Sequence, residues 1–254
     1  MTSDIWLVIP TYNEAANLEG IVAAAGAQLE RLAPADYRIL IVDDNSPDGT
    51  GAIADTLAAA SGRVEVLHRP GKGGLGQAYL AGFARALDGG AELVIEMDAD
   101  FSHDPSYLPV LLEAAHHADL VLGSRYVPGG GVRDWGLIRR GISRGGGIYA
   151  RRILGVEVQD LTGGFKCIRR VVLEGIDLPS LRAEGYVFQI ELTYRAILAG
   201  FEVVEVPIVF SDRTAGSSKM SIRIALEAMW LVPAIKSGAP AALAAARSPA
   251  RHSP

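Results

Sequence analysis

Hydrophobic positions in the first half of the chain alternate between short unbroken runs and helically spaced sets. Ile5-Trp6-Leu7-Val8-Ile9 has no polar interruption, which reads as a strand covered on both faces and ended by Pro10. From Asn17 to Leu32 the apolar residues Leu18, Ile21, Val22, Leu29 and Leu32 recur at helical spacing. Further strands are expected at Ile39–Val42, Val64–Leu67, Leu93–Met97 and Asp119–Leu122, with helices over Gln77–Leu87 and Leu108–His116. Strands alternating with helices predict an α/β fold, a mostly parallel sheet flanked by helices. In such sheets ligands bind beyond the carboxyl ends of the strands. That rule singles out Pro10-Thr11-Tyr12-Asn13-Glu14, Asp43-Asp44-Asn45-Ser46 and Asp98-Ala99-Asp100.

The second half is less regular. The Gly-rich stretch Tyr126–Arg133 predicts a mobile loop. Trp135–Leu154 mixes apolar residues with Arg around Gly145-Gly146-Gly147, which predicts two short amphipathic helices with a break. Strands are expected over Phe165–Ile168 and Phe201–Phe210, a helix over Tyr186–Leu198 between them, and a last helix over Ser218–Ile235. The organisation expected is a single domain over 1–236, with amphipathic interface helices at 134–155, and a disordered tail over 237–254 rich in Pro, Ser and Arg.

The length of 254 residues suits one large domain, and the 49% hydrophobic content is enough for its core. Cys167 is the single cysteine, which excludes an intramolecular disulfide and points to a reducing compartment. No signal peptide and no transmembrane run are expected. The best apolar stretch, Ile224–Ile235, is short and holds Glu227 and Pro233. A net charge of −5 argues against a nucleic-acid partner. The charge is uneven, however. Arg125 to Arg152 holds seven Arg and one acid, so that segment is +6 and the rest of the chain −11. A local basic patch predicts an anionic partner at one face.

Candidate chemistry follows the strand ends. Asp98 and Asp100 offer oxygen ligands while leaving room for water and phosphate oxygens, the usual way Mg²⁺ or Mn²⁺ is held. Alone, D-x-D is equally a turn. Asp44, after another strand, is expected at the same crevice. Gly71-Lys72-Gly73-Gly74-Leu75-Gly76 matches G-x-G-x-x-G and keeps an NAD-dependent oxidoreductase open as an alternative. It follows the third strand, behind Pro70, rather than the first strand as that fingerprint normally does. Arg125, Arg139 and Ser143 make a phosphate site by type. The apolar residues among them (Trp135, Leu137, Ile138, Ile142, Ile148, Tyr149, Ile153 and Leu154) suit an anionic membrane surface, so a non-catalytic membrane-binding module is a third reading. Arg213 and Lys219 bracket a small-residue loop suited to a diphosphate. His103 lies near Asp100 and is read as structural.

Taken in order, these segments resemble the polyprenol-phosphate (dolichol-phosphate) mannose synthases, of glycosyltransferase family 2 and the GT-A fold. The residues carrying the resemblance are Pro10 to Glu14, Val42-Asp43-Asp44-Asn45-Ser46-Pro47-Asp48-Gly49-Thr50, Arg69 to Gly76, Met97 to His103, Gly123 to Tyr126, Gly163-Gly164-Phe165-Lys166, and Arg213 to Lys219. It spans roughly residues 3 to 235. The resemblance implies inverting mannose transfer from GDP-mannose to a polyprenyl or dolichyl phosphate, with another hexose donor such as UDP-glucose as the variant. It implies that Pro10, Tyr12, Glu14, Val42, Asp44, Asp98, Ala99 and Asp100 bind the nucleotide sugar, together with Arg213 and Lys219. It further implies that Asp98 and Asp100 hold Mg²⁺ or Mn²⁺, that Arg125, Arg139 and Ser143 receive the acceptor phosphate, and that Asp100, Arg125, Arg213 and Lys219 take part in catalysis. Some members carry Gln where this chain has Ser102. Several end in transmembrane helices, and this chain resembles the subtype without them. That subtype works at the cytoplasmic face of a membrane as a peripheral protein and often relies on a separate membrane-anchoring subunit.

Overall fold

The computed structural model describes residues 5–33, 36–181, 185–211 and 229–239. Seven strands form one sheet: β1 (Ile5–Thr11), β2 (Tyr37–Asp43), β3 (Val64–His68), β4 (Leu93–Glu96), β5 (Leu120–Ser124), β7 (Lys166–Arg169) and β8 (Val203–Pro207). Their order is β3-β2-β1-β4-β7-β5-β8. All neighbours are parallel except β7, which runs antiparallel between β4 and β5. Helices cover both faces, so the central strands need apolar residues on both sides. Along β1, Ile5, Leu7 and Ile9 join one core, packed by α1 (Leu18–Leu32) and α4 (Leu108–Ala114). Trp6 and Val8 join the other, packed by α3 (Leu75–Asp88), α7 (Gly185–Ala199) and the C-terminal part of α5 (Leu137–Leu154). The unbroken hydrophobic run of β1 is thus a strand alternating between two cores.

The expected α/β sheet is present, with local differences. β1 continues through Pro10 to Thr11. The Val8 carbonyl faces β4, accepting the Met97 N–H at 3.2 Å, so by alternation the N–H that Pro10 lacks also faces that side. Pairing with β4 has already ended at Val8, and proline removes no ladder bond there. Residues 131–132 of the expected mobile loop form β6 (Gly131–Val132), which pairs in parallel with β9 (Val209–Phe210). The expected strand over 201–210 is therefore two strands, which diverge after Pro207. Helix α5 is continuous through Gly145-Gly146-Gly147 rather than broken. Its buried positions Ser143, Gly147, Ala150 and Leu154 hold it against the body, and tertiary packing outweighs the low helix propensity of glycine. Helices α2 (Thr50–Ala60) and α6 (Arg170–Gly175) were not expected. Each buries only two side chains, too few for a legible stripe. Residues 229–239 are helical, past the expected domain end at 236, and Val232, Ile235 and Ala239 pack into the second core. No helix among the described residues is long and apolar enough to cross a membrane.

Candidate active site

The three segments singled out after β1, β2 and β4 lie at one edge of the sheet, and most of the polar residues around them act as braces. Asp43 accepts Thr11 Oγ1 (3.1 Å), Ser46 Oγ (2.6 Å) and the Ser46 N–H (3.1 Å). Asp48 accepts the Ala15 N–H (3.1 Å) and Thr50 Oγ1 (2.6 Å), and Thr50 Oγ1 in turn accepts the Glu14 N–H (2.9 Å). Glu14 itself accepts Asn17 Nδ2 at 2.9 Å. The Asp43-to-Thr50 motif is thus a clamp holding residues 11–15. Asp44 differs, since its two oxygens accept Arg69 Nη1 and the Gly73 N–H, the latter at 3.0 Å. A Cβ at Gly73 would press on the Arg69 guanidinium and displace it from its present place beside Asp44. The Gly-rich segment is folded onto Asp44 rather than open as a diphosphate cradle. Beside it, the Lys72 ammonium lies 4.1 Å over the Tyr12 ring.

After β4, Asp98 Oδ1 accepts the Tyr79 hydroxyl at 3.3 Å. Burial, reinforced by Asp98, raises the Tyr79 phenol well above its ordinary range, so it stays a donor. The Asp98 N–H donates to His103 Nδ1 at 3.0 Å. Burial lowers the His103 pKa, partly offset by Asp98 and Asp100, so its ring is neutral with the proton on Nε2. The ring stacks on Phe165 at 5.0 Å. Asp100 is buried and accepts the Ser102 N–H at 3.0 Å. The Ser102 hydroxyl is buried with no hydrogen-bond partner among the described residues. Among the described residues no cluster of three or more His, Cys, Asp or Glu is arranged to hold a metal. Two carboxylates with an orphaned hydroxyl alongside nevertheless fit a hard cation that takes its other ligands from phosphate and water.

Beneath Asp98 lies a buried charged cluster that the sequence did not reveal. Glu96 and Lys166 face each other in register across β4 and β7, 3.8 Å apart and without solvent contact. Lys166 also donates to Gln189 Oε1 on α7. Burial pushes Glu96 up to about 7, against the pull of Lys166, and pulls Lys166 down to about 8, against that of Glu96.

Opposite Asp98, Arg125 follows β5. Asp160 accepts its backbone N–H (2.9 Å), its Nε (2.7 Å) and its Nη2 (2.6 Å), and Thr162 Oγ1 accepts Nη2 at 2.8 Å. Arg125, Arg139, Asp98, His103, Trp135 and Gln189 line one cavity. Ser143, one turn after Arg139, is hydrogen-bonded to the Tyr126 hydroxyl at 2.6 Å beside it. Of the other expected residues, Pro10, Tyr12, Glu14 and Asp44 sit at the β1–β2 end, Ala99 is buried, and the Val42 side chain is packed in the core. Arg213 and Lys219 lie outside the described residues. Asp160, Thr162, Gln189 and Tyr79 were missed. The only signal for Asp160 was an acid before a Thr-Gly-Gly turn. Gln189 and Tyr79 sit in helical apolar patterns that read as ordinary core.

A mostly parallel α/β sheet with paired carboxylates after a central strand, and with the buried Arg125 and the half-buried Arg139 lining the same cavity as Asp98, suits phosphorylated ligands. The sequence model of glycosyl transferase family 2 matches residues 6–177, and the chain belongs to that family. The polyprenol monophosphomannose synthase of Mycolicibacterium smegmatis is 52% identical over 228 residues, covering 89% of this chain and 84% of that protein. The undecaprenyl-phosphate mannosyltransferase of Micrococcus luteus is 47% identical over 222 residues, covering 87% and 89%. The glucosyl-3-phosphoglycerate synthase of Mycobacterium tuberculosis, crystallised with Mn²⁺, UDP-glucose and phosphoglyceric acid, superposes with a TM-score of 0.66 at 19% identity, covering 94% of this chain and 81% of that one. The protein is a glycosyltransferase, and the oxidoreductase and non-catalytic readings are set aside.

Proposed function

We propose that the protein transfers mannose from GDP-mannose to a polyprenyl phosphate at a membrane surface, with inversion at the anomeric carbon. The observation that carries this reading is a cavity, among the described residues, lined by Asp98 together with Arg125 and Arg139. A carboxylate and two guanidiniums on the same cavity would let a departing diphosphate and an attacking phosphate be handled by different groups. The two relatives at 52% and 47% identity, both named for mannose and polyprenyl phosphates, support the sugar and the acceptor.

Asp98 and Asp100 would hold the divalent cation, Mg²⁺ or Mn²⁺. When bound it supplies neutralisation of the charge that develops on the leaving nucleoside diphosphate. A phosphomonoester is already largely dianionic at neutral pH, its second pKa being near about 6, so attack needs no general base. The guanidiniums of Arg125 and Arg139 orient that phosphate for in-line displacement. One displacement turns an α-linked donor into a β-linked lipid phosphate.

Incubating the protein with labelled GDP-mannose or UDP-glucose, Mg²⁺ or Mn²⁺ and a short polyprenyl phosphate tests the reading. Lipid-linked product from GDP-mannose is expected. Product only from UDP-glucose overturns the donor, and an α-linked product by NMR overturns inversion. Asp100→Asn is expected to abolish metal-dependent turnover, and substantial residual activity would remove Asp100 from the metal site.

A further inference from the structure

Trp135 reads from sequence as a membrane-inserting residue, yet the structure leaves it only 6% exposed and on the wall of the cavity that holds Asp98, Arg125 and Arg139. The Arg139 guanidinium lies 4.0 Å from the centre of its ring, and that of Arg125 lies 5.6 Å from the same centre. The indole is itself held edge-on against Phe210 of β9 at 5.6 Å, and Phe210 also faces Arg125 at 5.4 Å. Arg125 is locked through Asp160 and Thr162. Arg139 stands in the first turn of α5 with a long, partly exposed side chain. Arg125 is already neutralised by Asp160, and a long arginine side chain that meets an anion gives up rotamer freedom unless its orientation is set beforehand. The indole face contributes to setting the orientation of Arg139, because its quadrupole attracts cations and its rigid plane selects one orientation of the planar guanidinium.

We propose that Trp135 is a positioning residue for the acceptor phosphate, its indole face holding Arg139 beside Arg125 before the phosphate binds. This rests on the acceptor site assigned under Proposed function. The test compares Trp135→Leu, Trp135→Phe, Arg139→Ala and the Leu/Ala double variant, with KM for both substrates and the thermal midpoint measured on each. Trp135→Leu is expected to raise the KM for a short polyprenyl phosphate about tenfold, the size of a partly desolvated cation–π contact, while the GDP-mannose KM stays within about twofold. Trp135→Phe keeps an aromatic face and is expected to stay within about threefold of wild type. In the Arg139→Ala background the Leu substitution is expected to add nothing. Equal damage from Phe and Leu, additive damage in the double variant, or a matching rise in the donor KM would each overturn the proposal. Should the Leu variant not fold, Trp135→Met replaces it with the same expectations. An unchanged acceptor KM in Arg139→Ala would overturn the acceptor site itself, whereas a raised one with Trp135→Leu unaffected would sink only the role of Trp135.

Discussion

Asp160 devotes its carboxylate mainly to Arg125, with the Thr162 hydroxyl also donating to it at 3.3 Å. Its carboxylate accepts three hydrogen bonds from Arg125, while its own N–H donates to Glu205 Oε1 at 2.8 Å. Burial would raise its pKa, but the Arg125 charge and hydrogen bonds outweigh this and hold it below the usual carboxylate range. Burial would likewise lower Arg125, and Asp160 outweighs that. Removing one partner of such a pair leaves the other charge buried and uncompensated. Asp160→Asn is expected to lose about 3–5 kcal/mol at pH 7 in chemical denaturation. A carboxylate with a depressed folded pKa contributes stability that is present above its unfolded value, about 3.9, and lost as pH falls through the folded value. The gap between wild type and variant should therefore close below about pH 4. A gap independent of pH would show that packing rather than charge holds Arg125. Cys167 offers a second check at this scale. It is fully buried, which pushes its thiol up to about 12, so alkylation is expected only after denaturation. Rapid labelling of the native protein would contradict the packing of β7.

Helix α5 shows how far a local pattern can be read. Its three consecutive glycines predict a break, because glycine carries a backbone-entropy cost that no local contact offsets. The helix continues because Gly147 and Ala150 face the body, while Gly145 and Gly146 face outward, with open space where a Cβ would stand. Gly145→Ala and Gly146→Ala are expected to stabilise the protein by about 0.5–1 kcal/mol each in denaturant unfolding. Gly82 is expected to behave oppositely. A Cβ there would overlap Val8 Cγ1, and overpacking of this kind costs about 1–3 kcal/mol. Stabilisation by Gly82→Ala would refute the close approach of α3 to β1. The parallel strands were legible because burial on both faces leaves a run of apolar residues that little else produces. The antiparallel insertion of β7 was not, since strand direction is set by what β4 and β5 leave unpaired and leaves no mark on Lys166–Arg169. At the site, the strand-end carboxylates announced themselves by position. The residues around them did not, because Tyr79, which holds Asp98, and Gln189, which holds Lys166 beneath it, sit in helices and reach the site through packing between distant segments.

At the scale of the whole molecule, exposed apolar side chains and exposed arginines stand together on α5, the helix that brings Arg139 to the cavity. Leu137 and Ile138, in the first turn of α5, are 84% and 81% exposed, and Trp230 in the helical segment 229–239 is 81% exposed. The Tyr149 hydroxyl donates to the Met229 carbonyl at 2.8 Å, tying that segment to α5. Arg140 and Arg144 are exposed on α5 as well, within the stretch that carries +6 while the rest of the chain carries −11. Large apolar side chains next to exposed arginines fit the boundary of an anionic bilayer, and Leu137 and Ile138 immediately precede Arg139, so the acceptor site would open at that boundary. The acidic remainder would be repelled from the same surface, which sets the orientation. Each apolar side chain fully buried contributes about 1.5–3 kcal/mol, and partial insertion of two gives about tenfold or more in partitioning. Leu137→Ser with Ile138→Ser is therefore expected to weaken binding to vesicles containing anionic lipid by about that factor in sedimentation, with transfer to a short, water-soluble acceptor within about twofold of wild type. Added salt should weaken wild-type binding further, since the Arg contribution is screened over about 10 Å at 0.1 M. Vesicle binding that survives both the double substitution and high salt would place the membrane contact elsewhere on the molecule. Loss of transfer to the short acceptor would instead mean that these two side chains belong to the acceptor site.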